Sequence, residues 1–157
     1  MSADLSITIK EDLILNNTQQ GGVYKNTISD ITDVYKRLVT VPSGSNTTLA
    51  TFKSTVGISD SALDVGNVKY VRITNLDGTN SVVLSLQIDS GSNDTAADES
   101  ATLLLEAGMT FSMGAVDDAF ATKDDGATIE LTMHPLESVL VDSGSNAVQI
   151  EVLIATT

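Results

Sequence analysis

The sequence predicts an all-β fold: an antiparallel β-sandwich, jelly-roll-like, with few or no helices, built as a single domain over residues 1–157. Three observations carry that expectation. Short runs of Val, Ile, Leu and Thr alternate apolar with polar residues, the period of two of a strand buried on one face. Gly, Asn, Asp and Ser interrupt those runs every 8–12 residues or so, the rhythm of a sandwich or barrel. Long continuous helical patterns are missing. Counting the runs gives about nine or ten strands.

The clearest stretch is Val68 to Asp89, VKYVRITNLDGTNSVVLSLQID. Lys69, Val71 and Ile73 alternate with Tyr70, Arg72 and Thr74; Val82, Leu84, Leu86 and Ile88 then share one face. Asp77-Gly78 between the two runs has turn chemistry, so the sequence predicts a β-hairpin here with a loop slightly longer than two residues.

The other elements follow in order. Leu5, Ile7 and Ile9 alternate, Leu13-Ile14-Leu15 continues the apolar character, and Asn16 to Gly22 reads as a turn or loop. Val34 to Val41 is a strand ended by Pro42. Ile28 to Val34 fits either a strand or a helical turn, and strand is favoured. Thr47 to Val56 is a strand with Ala50 and Phe52 on one side. Residues 57–67 read as a loop, with room for a helical turn from Ser59. After the hairpin, Ser90 to Ser100 is a polar loop. Thr102–Leu105 and Met109–Met113 are strands around a turn at Glu106-Ala107-Gly108, with Phe111 inward. Gly114 to Gly126 is an acidic loop with a possible helical turn at Ala119-Phe120. Thr128–Met133, Ser138–Val141 and Ala147–Ile154 complete the strands, the last presenting Val148, Ile150, Val152 and Ile154 inward. The tetrapeptide SGSN recurs at Ser43, Ser90 and Ser143 with unequal spacing and unlike flanks, which reads as shared turn chemistry rather than a repeated fold unit.

Composition narrows the function. There is no cysteine, so neither disulfides nor thiolate metal sites are available. No apolar leader follows Met1 and no apolar run approaches a membrane span, so synthesis in a cytoplasm is expected, with no membrane partner. The net charge is −13, and it is uneven. Residues 1–88 carry 8 acids and 7 bases, whereas residues 89–157 carry 13 acids and 1 base, Lys123. That balance disfavours nucleic acid, whose phosphates need clustered Lys and Arg. The near-neutral first half is the better docking face.

No catalytic, cofactor-binding or metal-ligating residue is expected, and the chain reads as non-enzymatic. His134, the lone histidine, precedes Pro135 and has no G-x-S-x-G partner; it reads as a strand-end residue. The pairs Asp117-Asp118 and Asp124-Asp125 lack the Ca²⁺-loop order and read as solvated acids. Trp is absent and Tyr24, Tyr35 and Tyr70 are scattered, which argues against a sugar platform. Asn16, Asn46 and Asn93 begin N-x-T sequons that read as chance. Tyr24, Lys25, Tyr35, Lys36 and Arg37 form one basic-aromatic cluster, either a mixed strand edge, which is favoured, or a subunit contact.

Two stretches, VYKNTISDITDVYKRLVTVPSGSNTTLATF and VGNVKYVRITNLDGTNSVVLSLQID, resemble small β-rich virion structural proteins of marine tailed bacteriophages. The likeness lies in D-[VI]-Y-K-R followed by a strand, then V-K-Y-[VI]-R-I-T-N-L-D and a hairpin, and it covers roughly residues 5–90. The resemblance implies a virion component, foremost a capsid decoration (cement) protein that binds the major capsid protein or other virion proteins as a homo-oligomer, with a trimer favoured. A head-tail connector, a tail component and a carbohydrate-binding host-surface module are the alternatives.

Overall fold

A computed structural model of the protein describes residues 2–54, 62–91, 99–122 and 129–157. In chain order its strands are β1 (Ala3–Lys10), β2 (Ile14–Leu15), β3 (Thr18–Gln19), β4 (Val23–Ile31), β5 (Asp33–Val41), β6 (Asn46–Lys53) and β7 (Ala62–Asp64). They continue as β8 (Val68–Asn75), β9 (Val82–Ile88), β10 (Glu99–Leu105), β11 (Thr110–Met113), β12 (Leu136–Asp142) and β13 (Val148–Thr156). The one helical element among the described residues is a 3-10 turn at Val65–Asn67.

The all-β expectation holds. One sheet has the order β11-β8-β13-β5 and the other β10-β9-β12-β6-β7. All pairings are antiparallel except that of β6 with β7. Among the main strands the pairs are nested: β5 lies beside β13, β6 beside β12, β8 beside β11 and β9 beside β10. The chain behaves as a long ribbon folded back on itself and then rolled into two layers.

Alternation explains the layers. Val148, Ile150, Val152 and Ile154 of β13 point inward together with Val71 and Ile73 of β8, opposite Val82, Leu84 and Leu86 of β9 and Val139 and Val141 of β12. On β6 the period breaks, because Leu49 and Ala50 are both buried. The register between β6 and β12 shifts at this point, pairing Ala50 with Val139 and Thr48 with Leu140. Leu49 is the extra residue of a bulge, which lets two successive side chains enter the core.

The predicted hairpin at Val68–Asp89 is corrected. Its strands form, but β8 and β9 belong to different sheets. Both apolar faces are needed to close the core from opposite sides, so the strands face each other rather than sharing a ladder. Gly78 does not take the positive φ that a tight hairpin turn would use. Residues 76–81 instead form an arch. The Asp77 carboxylate accepts hydrogen bonds from the backbone N–H groups of Thr79 and Asn80, both at 2.7 Å. Asn75, fully buried, donates from Nδ2 to the carbonyls of Asn80, Leu105 and Glu106, and its Oδ1 accepts from the Asp77 N–H. This side chain ties the arch to the turn after β10.

The same bonds set an acid dependence. The backbone N–H of Asn80, and next that of Thr79, hold the Asp77 carboxyl below its ordinary value of 3.8. The stabilisation is therefore fully present above that value and is lost as pH falls through the lower folded one. Asp77→Asn is expected to remove this contribution. Urea midpoints followed from about pH 5 to about pH 2 should fall less steeply for the variant than for the natural chain, and identical slopes would count against the arch as described.

Other expectations resolve individually. Ile28 to Val34 is strand, carried by β4 and β5 with a break at Thr32; Asp30, where the β1–β4 register shifts, takes φ +63. Within the expected 57–67 loop, Ala62–Asp64 is a strand beside β6, and Asp64 caps the 3-10 turn by accepting from Gly66 N–H at 3.0 Å. No helical turn forms at Ala119-Phe120; Phe120 instead pairs with His134 in an isolated bridge. The strand expected at Thr128–Met133 is absent over residues 129–133. The alternation is there, but no strand among the described residues lies beside it, and Ile129, Leu131 and Met133 stand exposed. The turn from Ser59, most of the 90–100 loop and Asp124-Asp125 fall outside the described residues.

Candidate interaction surface

The feature outside the sandwich is an arm made of residues 3–31. Strands β1 and β4 pair from Ala3 with Ile31 to Lys10 with Val23. The ladder continues through Glu11 N–H to the Gly22 carbonyl and Gln20 N–H to the Leu13 carbonyl, then through β2 and β3. Asn16 and Asn17, at φ +50 and +63, close the tip. Both are residue types that tolerate this left-handed region. Gly21 is needed for a different reason: a Cβ there would meet the Glu11 carbonyl oxygen at 2.0 Å. At ~3.3 Å per residue the arm reaches about 40 Å.

Two faces of this arm differ. Leu5 and Ile7 are half-buried and, with Ile9, look across a groove of about 350 Å³ toward Tyr70, Arg72, Thr110, Ser112 and Leu153 on the outer face of the four-stranded sheet. Farther out, Leu13, Ile14, Leu15, Val23 and Tyr24 are exposed, Ile14 at 72%. A two-stranded hairpin alone in water is marginal, and an apolar tip on one is costlier still. The pattern is that of a tip made to be covered.

The sheet face under the arm is held by charge. Glu151 of β13 pairs with Arg72 of β8 on one side and with Lys36 of β5 on the other, the latter at 3.3 Å. Lys36 and Arg72 both sit opposite Leu153, so Glu151 reaches each on the diagonal. The Arg72 Nε, buried beside the groove, has no hydrogen-bond partner.

The basic-aromatic cluster does not gather in one patch. Tyr24 and Lys25 lie on the arm and Lys36 faces Glu151. Tyr35 points the other way, its hydroxyl donating to the Leu49 carbonyl at 3.2 Å with the Arg37 guanidinium 4.8 Å from its ring centre. Two SGSN copies do meet: Gly44 N–H donates to the Gly144 carbonyl, and both glycines take positive φ. The Asp before the second and third copies accepts from the glycine N–H, Asp89 from Gly91 and Asp142 from Gly144. The expected turn chemistry is present there.

His134 lines a hollow of about 240 Å³ with Ser90, Thr122, Glu130 and Thr132. The Glu130 carboxyl is held below its usual range by the Thr132 backbone N–H and hydroxyl, with a smaller contribution from His134. A lowered value keeps it ionised, the opposite of what a general acid needs. Among the described residues no three His, Asp or Glu side chains converge as a metal site. No described helix is long and apolar enough to cross a membrane.

Comparison with protein-family models, with characterised sequences and with solved structures finds no match. The site is therefore defined by geometry alone. Sequence reasoning saw the arm's strands but not that they leave the sandwich. The signal was available in Leu13-Ile14-Leu15, a non-alternating apolar triplet abutting a turn, which a strand buried on one face would not carry.

Proposed function

We propose that the chain is a non-enzymatic structural protein of a virion, a capsid decoration (cement) protein whose β-hairpin arm grips the major capsid protein. The observation that carries this is the arm, about 40 Å of paired strand whose tip is apolar and exposed. Burial of such a tip between neighbouring shell subunits would add many weak contacts across a joint. The nested strand pairs are compatible with a jelly-roll-like sandwich, a stiff, compact block to carry the arm. The resemblance of residues 5–90 to phage virion proteins and the acidic, nucleic-acid-averse second half support the same reading. Quantitative mass spectrometry of purified particles tests it: hundreds of copies per particle are expected of a protein tiling a shell. A handful of copies would place the chain at the neck or tail, and none would end the proposal.

A further inference from the structure

Two halves of a strand pairing are present in this chain, yet it does not make that pairing with itself. The first half is the free edge of β5. Nine residues long, it pairs with β13 on one side only. Val34 and Leu38, the latter 67% exposed, stand on the sheet's outer face. The second half is Ile129-Glu130-Leu131-Thr132-Met133. It has a strand's alternation, with Ile129 at 77% and Leu131 at 84% exposure, and its backbone makes no backbone hydrogen bond to the described residues.

We propose that residues 129–133 of one copy add as a strand to the β5 edge of a second copy, joining copies head to tail. The facing of side chains agrees. If Ile129, Leu131 and Met133 extend the apolar face of Val34 and Leu38, the period of two sends Glu130 to the opposite face, where Tyr35 and Arg37 lie. Arg37 and Glu130 each lack an ion-pair partner among the described residues. Added strands of this kind draw affinity from main-chain hydrogen bonds and specificity from alternate side chains.

Charge selects the second copy and its orientation. The β5 edge belongs to the half with 7 of the 8 bases and a net charge of −1, while residues 129–133 belong to the half at −12. The contact sets unlike halves together, the acidic-half segment of one copy on the near-neutral edge of the other. Repetition of such a contact gives a ring where the rotation between copies closes and a filament where it does not. The inference deepens the proposed particle role by naming the self-contact, but its geometry does not depend on which particle the protein decorates.

The absence of cysteine from the chain makes the test clean. Leu131→Cys is prepared separately from Val34→Cys and Leu38→Cys. Mild oxidation of Leu131→Cys mixed with either partner should give a disulfide-linked pair of unlike copies, and each variant alone should give none. Glu130→Arg and Arg37→Glu should each weaken association about tenfold by light scattering, and the double swap in one chain should restore it to within about twofold. The altered side chains are exposed or half-exposed, so far-UV circular dichroism should be unchanged throughout. A monomeric natural chain at high concentration, self-linked Leu131→Cys, or no mixed disulfide with either partner would each overturn the inference. None of these results would alter the copy number on particles, so the two proposals fail separately.

Discussion

Phe52→Ala is expected to lower the stability of the sandwich by about 4 kcal/mol, near the upper end for a large-to-small core change. Phe52 sits on β6 at 1% exposure and is the largest side chain in the core. With no Trp and only three Phe in the sequence, most of what surrounds it is aliphatic and much of that β-branched. Stiff Val and Ile rotamers cannot swing into the vacated space. A small pocket of about 50 Å³, open on one side, lies beside Phe52, lined also by Val65, Pro135 and Leu136. Removing the ring leaves a gap that these stiff neighbours fill poorly. Urea unfolding should show the midpoint falling with an unchanged slope, while Phe52→Leu should cost only about 1 kcal/mol. A loss under about 2 kcal/mol for the alanine variant would mean the core relaxes far more than its branched side chains allow.

Serine at all three of Leu13, Ile14 and Leu15 should have the reverse profile. These side chains are exposed at the arm's tip, so the sandwich should keep its stability to within about 0.5 kcal/mol. Binding to particles stripped of the protein should fall by roughly two orders of magnitude, taking about 1 kcal/mol for each apolar side chain withdrawn from an interface. Co-sedimentation of the folded variant with stripped particles reads this directly. Undiminished binding would move the contact away from the arm.

The strands of the sandwich were legible in the sequence because one buried face imposes a period of two, and β13 is the plainest case. What periodicity does not encode is which strand becomes whose neighbour. The stretch from Val68 to Asp89 shows this: an arch between sheets and a hairpin within one use the same Asp-Gly chemistry and the same apolar faces. The missing information lay in Asn75, a polar residue in a strand's inward register, whose burial makes sense only once three carbonyls converge on it. Residues 129–133 fail in the opposite sense. Their pattern is that of a strand, but pattern states a preference and pairing needs a neighbour, which the described residues do not supply. The interaction surface was the least legible part, since an apolar residue reads the same in a sequence whether it seeks its own core or another molecule.

The pairing of β5 with β13 has a consequence for how the protein is made. The contact spans more than a hundred residues, as Val41 to Val148 illustrates, and among the described residues β5 has no other sheet partner. High contact order of this kind slows folding, because the loop must close before any ladder energy is gained. During translation the β5 edge stays unsatisfied until β13 has left the ribosome, whereas the arm can zip up early from local contacts alone. Nascent chains crowded on a polysome would then hold complementary sticky edges at close quarters, and the cell must keep them apart until each ribbon has rolled shut.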